Sequence, residues 1–207
     1  MRKFILVIDT QYDFMMSDGA LPVEGAESII APGIKFLGNL DPDETAGVLY
    51  TYDTHVEDEY IGSPENLGNP DAGEPGFPIH CEEFTAGWQN VFNPNIITGN
   101  IWSGTLRKGV FNMWEEDGIT INYDHGNVAM EPGMKKDRDE FFKELKDSGI
   151  DTVQVMGVAS DFCVRWAIDG LLKRGFKVEV IEHLTAGIIK QTADMVKEPG
   201  YEIVKLV

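Results

Sequence analysis

Sulfur is scarce in this chain: only two cysteines, Cys81 and Cys163, stand among 207 residues. A pair so widely separated excludes a disulfide framework and suits a reducing cytoplasm, which is the expected location. Positive charge is thin as well, with 17 Lys and Arg against 35 Asp and Glu for a formal net charge of -18. Such a field repels nucleic-acid phosphates and anionic lipid surfaces, so neither is expected as a partner. The apolar run that opens the chain, Phe4 to Ile8, ends after five residues at Asp9. It is too short for an export signal or a membrane span. No Gly-x-Gly-x-x-Gly follows it and no P-loop occurs, which removes the phosphate turns of dinucleotide- and nucleotide-binding folds.

What is present is an ordinary globular content, 43% hydrophobic over a length that suits one domain spanning residues 1–207. Phe4 to Ile8 is continuous, apolar and β-branched, the pattern of a central strand buried on both faces. A helix is predicted from about Ala26 to Leu37, and a second strand from Ala46 to Tyr52 runs into Asp53 and His55. From residue 54 to 95 the density of Gly, Pro and Asn predicts an irregular loop. It nevertheless carries Phe77, Phe84, Trp88 and Phe92, and long loops of that kind tend to be functional. A third strand is predicted near Thr105 to Val110. Residues 111–133 are expected to leave the sheet, although Ile119 to Tyr123 alternates like a strand.

Beyond Gly133 the rhythm is regular. A helix at Lys136 to Ser148 precedes a strand at Thr152 to Gly157, and a helix at Asp161 to Lys173 precedes a strand at Lys177 to Ile181. A helix at Ile188 to Lys197 and a strand at Glu202 to Leu206 complete the pattern. Strands alternating with helices imply parallel pairing through right-handed crossovers. The expected fold is therefore α/β and doubly wound, a mainly parallel six-stranded sheet with helices on both faces in a Rossmann-like three-layer sandwich.

In an open parallel sheet, ligands sit outside the carboxyl ends of the strands, near the point where strand order reverses. Asp9, Asp53, His55, Lys108 and Cys163 all fall at or just past predicted strand ends. Cys163 also opens a predicted helix, where N–H groups and the helix dipole favour a thiolate and so predict a lowered thiol pKa. An acid, an amine and a thiol gathered at one rim suit nucleophilic catalysis: Asp9 takes the thiol proton, Lys108 steadies the charges, and Cys163 attacks an amide carbonyl. Asp53 and His55, joined by His80 from the loop, make a second constellation. Two histidines and a carboxylate suit one divalent ion, Zn first with Mn or Fe as alternatives, leaving coordination positions open to water.

These motifs, in this order, resemble the cysteine hydrolases of the isochorismatase-like superfamily, and within it the nicotinamidases. The resemblance runs through Val7-Ile8-Asp9-Thr10-Gln11-Tyr12-Asp13-Phe14, Asp53-Thr54-His55, Phe77-Pro78-Ile79-His80-Cys81, Lys108-Gly109 and Gly157 to Val164. It implies Asp9, Lys108 and Cys163 as catalytic residues, a cis peptide at Val158-Ala159, and an oxyanion hole from the N–H groups of Ala159 and Cys163. It implies metal ligation by Asp53, His55 and His80, and aromatic walls from Phe14 and Phe77 around a pyridine ring. The implied reaction is conversion of nicotinamide to nicotinate and ammonia in NAD salvage, by a homo-oligomer. Alternatives are a related amidase acting on a carbamoyl or ureido compound, and a binding or redox-sensing module on the same fold.

The chain departs from the family in three places. The histidine usual a few residues after His55 is missing, with Glu57, Asp58, Glu59 and Glu65 as substitutes left open. Glu82-Glu83 follows His80-Cys81 where a Gly-Thr step is common, and the stretch between Lys108 and Cys163 is longer than usual.

Overall fold

The computed structural model describes residues 2–72, 75–125, 134–191 and 201–204. Among the described residues the strands are β1 (Lys3–Ile8), β2 (Thr45–Asp53), β3 (Ser103–Lys108), β4 (Thr120–His125), β5 (Lys135–Asp137), β6 (Thr152–Gly157), β7 (Lys177–Thr185) and β8 (Tyr201–Val204). They form one eight-stranded sheet in the order β5-β4-β3-β2-β1-β6-β7-β8. The helices are α1 (Tyr12–Met15), α2 (Ile30–Gly38), α3 (Glu57–Tyr60), α4 (Pro64–Leu67), α5 (Arg138–Asp147) and α6 (Cys163–Lys173). None is long and apolar enough to cross a membrane.

The doubly wound α/β class is the expected one, and its six parallel strands are the six predicted from the sequence. The sheet has eight strands because the segment expected to leave it returns to it: β4 pairs antiparallel with β3, and β5 pairs antiparallel with β4. The alternation at Ile119 to Tyr123 was thus a true half-buried strand signal, with Ile121 and Tyr123 packed inward. Residues 126–133 lie outside the described ones. The predicted helix at Ile188 to Lys197 is not helical at Ile188 to Lys190, and residues 192–200 lie outside the described ones. At the other helix borders the structure differs by one or two residues. Ala26–Ile29 forms a turn of 3-10 helix before α2.

Side chains of β1 alternate between two cores. Phe4, Leu6 and Ile8 pack with Phe141 and Phe142 of α5 and with Val164, Ala167 and Leu171 of α6. Ile5 and Val7 face the opposite layer, with Phe14, Ala26, Ile29 and Leu37. A strand buried on both faces needs no polar alternation, which is why β1 reads as an unbroken apolar run. Strand order reverses at β1, flanked by β2 on one side and β6 on the other. The carboxyl ends of β1, β2, β3 and β6 therefore share one rim, and the polar residues gather there.

Candidate active site

Asp9 leaves β1 with a positive φ of 46°, a backbone region Asp tolerates better than most residues. Its N–H donates to the Thr51 hydroxyl oxygen at 3.1 Å, and that hydroxyl donates back to Asp9 Oδ1 at 2.5 Å. The close approach of β6 that completes the rim depends on Gly157, at φ 118°, because a Cβ there would overlap the backbone of Ile8. The next peptide bond, Val158–Ala159, is cis. Ser160 and Asp161 then fasten this turn to the neighbouring loop. The Ser160 N–H donates to the Ala186 carbonyl at 2.8 Å, and the Asp161 carboxylate accepts the N–H groups of Ile188, Ile189 and Lys190. No backbone carbonyl among the described residues accepts from the N–H of Ala159 or Cys163.

Lys108 ends β3 with its side chain 1% exposed. Its ammonium lies 2.8 Å from Asp9 Oδ2, 3.2 Å from Asp53 Oδ1 and 3.5 Å from Cys163 Sγ. Burial works against the charge on Lys108, but Asp53 and Asp9 outweigh it and hold the ammonium well above the ordinary lysine range. The structure thus brings Asp9, Lys108 and Cys163 together at one rim. It reverses one expectation. Although Cys163 is the first residue of α6, burial pushes its thiol well above the usual range, only partly opposed by Lys108 and reinforced by Asp9 and Asp53. Helix-dipole stabilisation is modest at best, whereas the cost of desolvating a thiolate is large.

Asp53 connects this group to a second one. While Oδ1 faces Lys108, Oδ2 lies 3.2 Å from His80 Nε2 and 3.3 Å from His55 Nε2. Burial raises the Asp53 pKa, but Lys108 and the two adjacent histidines outweigh it and hold the carboxyl well below its ordinary range. The backbone of Asp53 is locked by Gln11, whose Oε1 accepts the Asp53 N–H at 2.8 Å and whose Nε2 donates to the Asp53 carbonyl at 2.7 Å. His80 Nδ1 donates to the Pro78 carbonyl at 2.8 Å, which leaves Nε2 as the nitrogen with a lone pair toward the cluster. Tyr60 backs both histidines, its hydroxyl donating to the Phe77 carbonyl at 3.2 Å and its ring centred 4.5 Å from that of His55.

The fourth member of the cluster is Glu65, in the first turn of α4, 3.3 Å from His55 Nε2. Ligand atoms of Asp53, His55, Glu65 and His80 all lie within 4.8 Å of one another. Of the four acids left open by the sequence, Glu65 alone is buried; Glu57, Asp58 and Glu59 face solvent on α3. The signal that could have separated them is Ser63-Pro64, which starts a new helical turn and carries Glu65 back toward the rim. Both Glu65 carboxylate oxygens and His55 Nε2 are buried without a hydrogen-bond partner. Burial, with the Asp53 charge added, pushes the Glu65 carboxyl up to about 9. Buried unpaired donors of this kind are costly, and a divalent cation satisfies all of them at once. The donor set, two imidazoles and two carboxylates, suits Zn, Mn or Fe.

The loop after His80 pairs with residue 55 like a short parallel strand: the His55 N–H donates to the Cys81 carbonyl at 3.1 Å and the Glu83 N–H to the His55 carbonyl at 2.9 Å. That pairing holds the two histidines side by side. Cys81 itself is buried, and burial pushes its thiol up.

Phe14 and Phe77 are both buried at the rim, in different places. The Phe14 ring is centred 5.1 Å from His80. The Phe77 ring meets Phe111 and Phe162 edge-on, at 5.7 Å and 5.4 Å, a group of three rings that adjoins Cys163 through Phe162. Sequence reasoning did not single out Phe111 and Phe162.

No protein-family model matches the chain. Over 192 residues it is 25% identical to the nicotinamidase/pyrazinamidase of Mycobacterium tuberculosis, covering 92% of this chain and 89% of that protein. It is 28% identical over 185 residues to the nicotinamidase of Acinetobacter baylyi, covering 86% and 78%. Among solved structures it superimposes with a TM-score of 0.64 on the pyrazinamidase of Pyrococcus horikoshii in complex with zinc, at 23% identity and full coverage of both chains.

Proposed function

We propose that this chain, which has the isochorismatase-like hydrolase fold and resembles nicotinamidases along most of its length, hydrolyses nicotinamide to nicotinate and ammonia as a cysteine-dependent amidohydrolase. The observation that carries the reading is the buried Lys108 ammonium, within 3.5 Å of Asp9, Asp53 and Cys163 at once. A lysine with its side chain 1% exposed between two carboxylates and a thiol has no role in packing that a hydrocarbon would not fill better.

Asp9 accepts the Cys163 proton as the sulfur bonds to the carboxamide carbon, and Lys108 balances the charge on that carboxylate. The N–H groups of Ala159 and Cys163 face the oxygen on which negative charge develops. Asp9 then returns the proton to the amide nitrogen, the C–N bond breaks and ammonia leaves. Water adds to the thioester with Asp9 as base, the C–S bond breaks, and the thiol is re-formed as nicotinate departs. Asp53, His55, Glu65 and His80 hold one divalent ion, zinc being the first choice. When bound, that ion supplies Lewis-acid charge beside the substrate ring and the hydrolytic water. Phe14 and the slot of Phe77, Phe111 and Phe162 suit a flat heteroaromatic ring.

Residues 1–207 are read as a single hydrolase domain working in NAD salvage, in the cytoplasm, as a homo-oligomer, with a small amide rather than nucleic acid or membrane as partner. The test is ammonia release from nicotinamide by the purified protein, with and without chelator, and with Cys163→Ala. Release that needs both Cys163 and the metal is expected. Undiminished release by Cys163→Ala removes the nucleophile, and activity confined to carbamoyl or ureido compounds replaces the substrate.

A further inference from the structure

We infer that Trp114 is a clip which, seated in a notch at Gly170, holds Phe111 in the wall of the aromatic slot and thereby sets which amide fits. This inference builds on the amidohydrolase reading above. It concerns the segment directly after Lys108, which in this chain departs from the sheet before β4 begins.

The segment is fastened at three points. At its start, the Gly109 N–H donates to Glu116 Oε2 at 2.7 Å, closing residues 109–116 into a loop on the side of Lys108. Beneath it, the buried Arg138 at the start of α5 donates to the carbonyls of Met113 and Glu116. Across it, Trp114 reaches α6, the helix that begins at Cys163. Its indole Nε1 donates to the Ala167 carbonyl at 3.3 Å, its ring meets Phe142 edge-on at 4.9 Å, and the Arg174 guanidinium lies 3.8 Å from the ring centroid. Gly170 is what admits the ring: a Cβ at that position would overlap indole atoms Nε1, Cδ1 and Cε2. These atoms belong to a rigid ring held on both sides, so the ring cannot give way locally.

Three residues before the clip, Phe111 meets Phe77 edge-on at 5.7 Å and Phe162 at 5.4 Å. Phe162 immediately precedes Cys163, so Phe111, through its contact with Phe162, lies beside the residue that leads into the nucleophile. Nothing on its own strand positions this ring, because β3 ended at Lys108. Of the three fastenings, Trp114 is the one that ties the segment to α6, the helix that begins at Cys163. Trp114 is therefore a positioning residue and Phe111 the specificity-determining one.

The experiment uses Gly170→Ala in the metal-loaded full chain, since alanine favours the helix and disturbs only the notch. Expected is a rise of about tenfold in KM for nicotinamide with kcat within about twofold, the pattern of lost ring packing rather than lost chemistry. Phe111→Leu should do the same, and Gly170→Ala combined with Phe111→Leu should be no worse than either alone. Trp114→Phe in the Gly170→Ala background, a smaller ring above the new methyl, should recover part of the KM. Alkylation of Cys163 by iodoacetamide should accelerate several-fold in each single variant. A fall in kcat at unchanged KM, or effects of the pair that multiply, overturns the clip. If the unaltered protein does not hydrolyse nicotinamide, the proposed function fails while alkylation still decides. Acceleration in Gly170→Ala then upholds the clip as a cover over the thiol, and an unchanged rate overturns it.

Discussion

Two lysine–carboxylate pairs, one at each end of the same sheet, have the same length and opposite meaning. Lys3 and Glu179 meet at 2.8 Å at the amino end, beside a hollow of about 720 Å³ lined by Lys3, Lys35, Asp41, Glu44 and His183 among others. Lys108 and Asp9 meet at 2.8 Å at the carboxyl end. The Lys3 side chain is 42% exposed and the Lys108 side chain 1%. Water screens the first pair and can replace either partner, so it contributes little. Neither member of the second can be left alone without stranding a charge in the interior. Desolvation, rather than distance or the size of the hollow, is what distinguishes a site from a surface feature in this molecule.

The comparison can be broken most sharply at the carboxyl end. Cys163→Ala should reduce nicotinamide hydrolysis by at least about a thousandfold while metal content, measured on the purified protein, stays that of the unaltered chain. Lys108→Met strands Asp9 and Asp53 against each other, and urea titration should show a loss of about 3–5 kcal/mol. A loss below 1 kcal/mol would put this pair in the same class as the one at the amino end.

Glu65 sharpens the comparison through pH. Its carboxyl is raised from 4.5 to about 9, so between those values the folded metal-free protein holds a proton that the unfolded chain has released. The contribution of Glu65 to the stability of the metal-free protein is then full below about pH 4.5 and is lost as pH rises toward 9. Glu65→Gln should flatten that decline and raise the thermal midpoint of metal-free protein at pH 8, while weakening Zn binding measured by chelator competition. A pH slope unchanged by the substitution would remove Glu65 from the cluster. The smallest effect belongs to Lys3→Met, which should change the unfolding free energy from urea titration by less than about 0.5 kcal/mol and leave hydrolysis unchanged.

The six parallel strands were legible because burial on both faces leaves an unambiguous signature, as in Phe4 to Ile8, and because β6 is followed by a helix, α6, of the length a crossover needs. The fourth strand was legible as an alternation but not as a sheet member, since alternation states that one face is covered and not by which neighbour. Asp9, Lys108 and Cys163 could be gathered from the chain because strand ends in a parallel sheet share a rim. Phe111 and Phe162 could not be told from ordinary core aromatics, as apolar rings carry no mark of which cavity they border.

By itself the sequence determined the doubly wound class, the rim, and the acid, amine and thiol that meet there, because periodicity and strand ends are local properties of the chain. Only the tertiary structure decided that Glu65 rather than its three acidic neighbours turns inward, that burial raises the Cys163 thiol at the head of α6, and that Trp114 finds its notch on that helix. Each of these depends on how much water remains around a group once distant segments have packed, and desolvation is a property of the assembled interior that no run of residues encodes.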